Sequence, residues 1–125
     1  MIIPYLTFNG NCEEAFNFYA TVFGGNKPSI SRLNNDPNNP VMHAMVTLTD
    51  AGGSVSGADT DESVPISGMA ILVIFPAREG IDDIAQKLAE GGTLVQRFMP
   101  HPPPDDNGGG AVVLDKYGYT WFLCA

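Results

Sequence analysis

Two polar residues in neighbouring apolar segments are the candidates for acid–base chemistry. His43 lies in the segment VMHAMVTL, and Asp59 closes the next segment, SVSGAD. An imidazole there could act as a general base or orient a ligand. A carboxylate that faces a cavity could bind a polar group or accept a proton. The structural alternatives are a histidine hydrogen-bonded beside a sheet and an aspartate solvated in a turn. His43 and Asp59 are the only plausible acid–base pair in the sequence.

Three further side chains are candidate ligand-binding residues. Tyr119 and Trp121, the one tryptophan, share a face of a predicted strand and could line an aromatic pocket. The alternative for this pair is core packing or a subunit interface. Arg97, one of six basic residues, could bind an anionic group, and a surface salt bridge is its alternative. Cys12 begins a predicted helix, where the helix dipole favours a thiolate, but a structural cysteine is the preferred interpretation.

The elements that must position these residues occur twice in the same order. Each half contains one strand, one amphipathic helix and three more strands, and equivalent turns recur roughly 65 residues apart. In the first helix, Asn11 and Glu14 have the spacing of a capping box, and apolar residues follow from Ala15 to Phe23. The pattern predicts an α+β fold of two βαβββ modules, residues 1–59 and 69–125, joined by a linker at 60–68. Paired as one domain, the modules would form a rolled mixed sheet with a central cleft, whereas a sandwich without a cavity is the alternative.

The spacing of the two candidate catalytic residues is set by the hairpin that joins their strands. A turn at residues 50–53 places Thr49 opposite Ser54, and His43 then lies opposite residue 60. Asp59 is one residue away from that position, and one step along a strand changes the face. His43 and Asp59 would therefore share a face only if a bulge or a one-residue register change intervenes.

Composition excludes several classes of function. The chain of 125 residues carries six basic and fourteen acidic side chains, for a net charge of −8. This acidity argues against binding to nucleic acids or anionic membranes. Apolar runs are too short to span a bilayer, and the N-terminus lacks the features of a signal peptide. Two cysteines are too few for a disulfide framework. We therefore expect a cytoplasmic protein of one domain.

Three segments resemble one protein family. The opening PYLTFNGNCEEAFNFYATVFGG, the segment VMHAMVTL followed by GAD, and the closing DKYGYTWFL resemble the PhnB-like branch of the glyoxalase, bleomycin-resistance and extradiol-dioxygenase group. This group is also called the vicinal oxygen chelate superfamily, and the branch is often labelled 3-demethylubiquinone 3-methyltransferase-like. The resemblance covers essentially the whole chain. It implies paired βαβββ modules and a homodimer.

The resemblance also implies where a divalent metal would be held in the superfamily's catalysts. Those places fall near Pro4, Gly57, Met69 and Phe122, none of which offers the imidazole or carboxylate donors that such ions require. The glycine pairs and runs also lack the G-x-G-x-x-G spacing of a dinucleotide-type loop, which argues against S-adenosylmethionine. We therefore predict no metal and no cofactor. Two functions remain: a metal-independent enzyme acting on a small polar metabolite, and a non-catalytic small-molecule binding protein of the bleomycin-resistance type.

Overall fold

The computed structural model describes residues 1–62, 66–104 and 108–125. These residues contain two α-helices and eight strands, and the strands form two mixed four-stranded sheets. The predicted α+β class and the repeated βαβββ order are confirmed. The chain divides into two compact units, Met1–Pro65 and Ile66–Ala125. Residues 63–65, within the predicted linker, and 105–107 lie outside the described residues. The strands and helices in chain order are β1 Tyr5–Phe8, α1 Cys12–Phe23, β2 Ser29–Arg32, β3 Val41–Thr47, β4 Ser54–Asp59, β5 Ile71–Ile74, α2 Ile81–Leu88, β6 Thr93–Pro100, β7 Gly109–Leu114 and β8 Thr120–Cys124.

Unit 1 is a sheet with the strand order β1-β4-β3-β2 and one helix against it. β1 runs parallel to β4, and the other two pairs are antiparallel. Helix α1 packs against β3 and β4 through its buried apolar stripe. The ring of Phe16 in this stripe meets the ring of Phe8 of β1 edge to face, with centroids 6.0 Å apart. Buried strand residues such as Leu6, Ala44 and Val46 line this side of the sheet. The opposite side of the sheet, called here the helix-free face, carries the alternate residues.

Unit 2 repeats the arrangement with the order β5-β8-β7-β6. Its only parallel pair in the described residues is β5 with β8. Helix α2 packs on β6, β7 and β8, and its buried residues Ile81, Ala85 and Leu88 recur with helical spacing. Trp121 and Leu123 of β8 complete this core and are fully buried. Each unit thus buries one face of its sheet under its own helix.

The ends of several strands differ from the predicted ones. The apolar runs at residues 2–8 and 69–75 predict longer strands, but β1 and β5 have four residues each. Both are edge strands that pair with one neighbour, and their ladders begin at Tyr5 and Ile71, inside the apolar runs. Hydropathy extends beyond the paired residues and therefore overestimates the length.

The hairpin between β3 and β4 turns one residue earlier than predicted. Gly52 N–H donates to Thr49 O at 2.9 Å, Gly52 has a φ of 94°, and Leu48 N–H donates to Gly53 O at 2.7 Å. Only glycine adopts this φ without strain, and it fixes the turn at residues 49–52. Thr47 therefore pairs with Ser54, which shifts the predicted register by two residues. A shift of two leaves every side chain on its predicted face.

No helix in the described residues is both long enough and apolar enough to cross a membrane.

Candidate functional site

Asp59 holds the start of helix α1 against the sheet. Its Oδ1 accepts hydrogen bonds from Gly10 N–H and Cys12 N–H, each at 3.0 Å. Its Oδ2 accepts a third bond, from Val41 N–H at 3.0 Å. The predicted capping box is wrong, because the side chain of Asn11 makes no capping bond. A carboxylate from β4 supplies the cap instead, at the helix end where the dipole favours negative charge.

The thiol of Cys12 lies in the core beneath this cap. Burial, and secondarily the charge of Asp59, raise the pKa of Cys12 from its ordinary value of 9.0 to about 12, while Arg32 acts in the opposite direction. The sequence pattern favours a lowered pKa at a helix N-terminus, but desolvation of the thiolate is the larger effect here. Cys12 is therefore a protonated, structural cysteine at neutral pH.

His43 lies on the helix-free face of unit 1 and is exposed. Its Nδ1 lies 3.5 Å from Ser56 Oγ, and in the sheet His43 pairs with Ser31 of β2. Ser56 Oγ also donates to Ala44 O at 3.0 Å. Further hydroxyls share this face, since Thr47 Oγ1 and Ser54 Oγ lie 3.1 Å apart along the same two strands. The surface around the imidazole is thus polar and made chiefly of side-chain hydroxyls.

The structure does not bring His43 and Asp59 together. Asp59 alternates with Gly57 and Val55, whose side of the sheet is covered by α1. His43 alternates with Met45 on the other side. No bulge separates the two faces between Ala44 and Thr47, where the ladder is regular. Proton exchange within this pair would have to cross the sheet.

A cavity of about 570 Å³ opens beside Asp59 within unit 1. Its lining includes Asn9, Arg32, Asn38 and Asp61. Arg32 is held by Glu13 in an ion pair and donates to the carbonyl of Asn39 at 2.7 Å. These bonds tie the loop after β2 to helix α1. Asp59 also lines the cavity, but its carboxylate oxygens already accept the three backbone bonds described above.

Trp121 and Tyr119 are joined through Asp115, which the sequence reasoning missed. Asp115 is 2% exposed, and its Oδ2 accepts a hydrogen bond from Trp121 Nε1 at 2.8 Å. Its Oδ1 accepts from the backbone N–H groups of Tyr117 and Tyr119. An aspartate that opens a turn commonly bonds the N–H two residues on, so the segment DKYG carried this signal. Trp121 is buried in the core of unit 2, which is the core-packing alternative to lining a pocket. Tyr119 is half-buried just before β8.

Arg97 pairs with Asp82 at the start of helix α2. The guanidinium lies 3.1 Å from the carboxylate, and 71% of the arginine side chain is exposed. The Phe98 N–H, together with Arg97, holds the pKa of Asp82 below its ordinary value. This arrangement is the surface salt bridge that was the alternative to anion binding.

The donors on the helix-free faces do not fit the divalent metal of the superfamily's catalysts. β1 and β4 present Tyr5, Thr7 and Ser56, and in unit 2 the corresponding strands present mostly carbon, as at Leu72 and Phe122. Among residues 1–62, 66–104 and 108–125 no three His, Cys, Asp or Glu side chains converge. Hard divalent cations need several carboxylate or imidazole ligands. S-adenosylmethionine fits no better, because the loops that join β1 to α1 (residues 9–11) and β5 to α2 (residues 75–80) lack the G-x-G-x-x-G spacing of a dinucleotide-binding loop.

Comparison with known proteins identifies relatives over the full length. The sequence model of one family, described as 3-demethylubiquinone-9 3-methyltransferase, matches residues 1–124. The PhnB protein from Bacillus cereus is 31% identical, with a TM-score of 0.70, 98% of this chain covered and 96% of that one. Protein PA1353 from Pseudomonas aeruginosa is 26% identical, with a TM-score of 0.78 and coverage of 98% and 95%. No curated protein matches the chain.

A more distant structure shares the fold alone. The fosfomycin resistance protein FosX from Listeria monocytogenes, solved with Mn(II) and sulfate, is 13% identical, with a TM-score of 0.64. The alignment covers 100% of this chain and 90% of FosX. This likeness places the two units in the glyoxalase and bleomycin-resistance fold.

Proposed function

Because the chain belongs to the 3-demethylubiquinone-9 3-methyltransferase-like family of the vicinal oxygen chelate superfamily, we propose that it binds a small polar molecule on the helix-free face of unit 1. In this proposal His43 and the hydroxyls beside it form hydrogen bonds to the ligand. The protein binds this ligand without a metal and without acid–base chemistry between His43 and Asp59.

The observation that carries the proposal is the bonding of Asp59. Its carboxylate accepts three backbone N–H bonds and lies on the helix side of the sheet. A general base must reach the proton that it removes, directly or through one water. With Asp59 occupied in holding α1, none of the described strands of unit 1 gives His43 a carboxylate partner on its own face. Binding is therefore the function that this arrangement supports best.

The charge of the chain narrows the class of ligand. The net charge is −8, so an anionic ligand would meet a repulsive field. Serine, threonine and neutral imidazole groups form hydrogen bonds without requiring charge on the ligand. We therefore favour a neutral or cationic molecule with several polar groups, of a size that one sheet face can contact.

The proposal is tested by a thermal-shift screen against a metabolite library, followed by titration calorimetry on each hit. A ligand at 100 times its dissociation constant adds about 2.7 kcal/mol to the stability of the folded state. We expect His43→Ala to weaken binding by roughly tenfold, the loss of about 1.4 kcal/mol from one hydrogen bond. His101→Ala, which removes the other histidine of the chain, is the matched control and leaves affinity unchanged. Conversion of the hit to a product, followed by mass spectrometry and lost in His43→Ala, would instead establish a metal-independent enzyme and contradict the proposal.

We also propose that the protein is a homodimer. The helix-free face of unit 2 exposes apolar side chains, with Leu72 at 53% and Ile74 at 64% exposure, and Leu114 lies on the same face. Apolar surface of this kind is what subunit interfaces bury. Sedimentation analysis tests the proposal: Ile74→Lys shifts a dimer toward monomer, whereas Gln86→Lys on the exposed side of α2 does not. A monomeric wild type at high concentration would contradict it.

A further inference from the structure

We propose that Ser56 is a positioning residue that holds His43 in the tautomer with its proton on Nδ1, so that Nε2 accepts a hydrogen bond from the ligand. The ligand class then follows: molecules that present an O–H or N–H donor, rather than acceptors alone. This inference rests on the proposed function, because it concerns the same helix-free face of unit 1.

The hydroxyl proton of Ser56 is already committed. Ser56 Oγ lies 3.0 Å from the carbonyl oxygen of Ala44, an atom that can only accept, so the hydroxyl donates there. What Ser56 Oγ offers to His43 is therefore a lone pair. The Nδ1 atom of His43, 3.5 Å away, interacts favourably with that lone pair only when it carries the proton. The contact is at the long limit of a hydrogen bond, and the committed Ser56 proton favours Nδ1 as its donor.

Ser56 is fixed in place by its strand. It is 6% exposed and lies on β4, between Tyr5 of β1 and Met45 of β3 in the two ladders. A buried hydroxyl with a backbone acceptor has little freedom to rotate, since losing the bond to Ala44 would leave a buried donor unsatisfied. The serine is thus a rigid acceptor, whereas the imidazole that it contacts is exposed.

The consequence lies at the other ring nitrogen. With Nδ1 protonated in the neutral imidazole, Nε2 has a lone pair and no proton. In the described strands of unit 1, the residues that share this face are hydroxyl-bearing or apolar, and Tyr5 is the only other titratable side chain among them. On the helix-free face of these described strands no carboxylate competes for Nε2, since Asp59 of β4 lies on the other face. A ligand hydroxyl or amine hydrogen is the complementary partner.

The tautomer can be measured directly on the ligand-free protein. Nitrogen-15 chemical shifts of the neutral His43 ring distinguish a protonated from an unprotonated nitrogen. We expect a protonated Nδ1 and an unprotonated Nε2 in the wild type. In water, neutral imidazole side chains favour the opposite tautomer, so Ser56→Ala should shift the population toward a protonated Nε2.

Two further variants separate positioning from a general effect on the fold. Ser54→Ala removes a hydroxyl two residues along the same strand and face, and leaves the His43 shifts unchanged. Ser56→Thr keeps a hydroxyl at the position and restores the wild-type tautomer. A wild-type His43 that is protonated mainly on Nε2, or a tautomer unaffected by Ser56→Ala, would overturn the inference whether or not any ligand is found.

The ligand class is tested with a matched pair of probes, 4-fluorophenol and 4-fluoroanisole. They differ in one donor hydrogen replaced by a methyl group. We expect the phenol to shift the Nε2 resonance of His43 in a saturable titration and the anisole to shift it at least tenfold less at equal concentration. Equal shifts from both probes, or none from either, would overturn the assignment to donor ligands. The metabolite screen tests the proposed function separately.

Discussion

Replacing Asp59 with alanine tests the structural role of its carboxylate. The change leaves three backbone N–H groups without their acceptor: two at the start of α1 and one at the start of β3. A hydrogen bond to a charged group contributes about 1.5–3 kcal/mol, and a lost helix cap alone costs about 1 kcal/mol. Gly10 is exposed and can bond to water after the change, so the three losses do not add in full. We expect Asp59→Ala to lower the free energy of unfolding by about 2–4 kcal/mol.

The measurement is urea unfolding at pH 7, followed by circular dichroism. A fall of this size is a large part of the roughly 5–15 kcal/mol that stabilises a domain of this kind. Asp59→Asn retains one carboxamide oxygen as acceptor but places an NH₂ group toward the remaining donors, and we expect an intermediate loss. Asp61→Ala is the matched control, because this exposed carboxylate forms no bond in the described structure, and it should change stability by less than about 0.5 kcal/mol.

One result would refute the reasoning. If Asp59→Ala unfolds at the wild-type urea concentration while abolishing turnover of an identified substrate, the carboxylate serves chemistry rather than the helix. The acid–base pair with His43 would then have to form in a conformation that differs from the one described.

Three other perturbations have defined outcomes. Burial raises the pKa of Cys12 to about 12, so the stability that comes from keeping its thiol protonated is complete below pH 9 and decreases from pH 9 toward pH 12. Cys12→Ala should lose this part of the pH dependence of urea unfolding. An unchanged pH profile would contradict the assignment. Asp115→Ala removes the acceptor for Trp121 Nε1 and for two backbone N–H groups at a residue that is 2% exposed. We expect the free energy of unfolding to fall by roughly 3–5 kcal/mol and the emission of the single tryptophan to shift. Fluorescence like that of the wild type would argue against the bond between Trp121 and Asp115. Gly57→Ala places a Cβ against the backbone oxygen of Leu6 and 3.1 Å from the ring of Phe16, and it should cost about 1–3 kcal/mol in the same assay; a neutral effect would show that β4 can move away from α1.

The order of the elements and the faces of their residues could be predicted from local sequence. Apolar spacing gave both helices, and alternation placed His43 on one side of β3 and Asp59 on the other side of β4. These features depend on residues within one or two turns of each other, where periodicity is informative. The hairpin register was wrong because two adjacent glycines permit the turn at either of two positions, and only the ladder decides between them.

The candidate site was less predictable because its contacts are distant in sequence. Asp59 reaches Cys12 N–H across 47 residues, and no local pattern distinguishes it from the nearby Asn11 as the helix cap. The burial of Trp121 depends on its pairing with β5 and on Asp115, so its aromatic character alone could not separate core from pocket. Ser56 was not singled out because an isolated serine in a strand has no functional signature.

Chemical-shift mapping with a ligand from the metabolite screen tests the central claim most directly. The isotopically labelled protein is titrated with the ligand, and backbone and side-chain shifts are followed to saturation. We expect the largest changes at residues of the helix-free face of unit 1, above all at His43, Ser56 and Ser31. Changes centred on the cavity beside Asp59, at Asn38 and Asp61, with His43 unaffected, would contradict it.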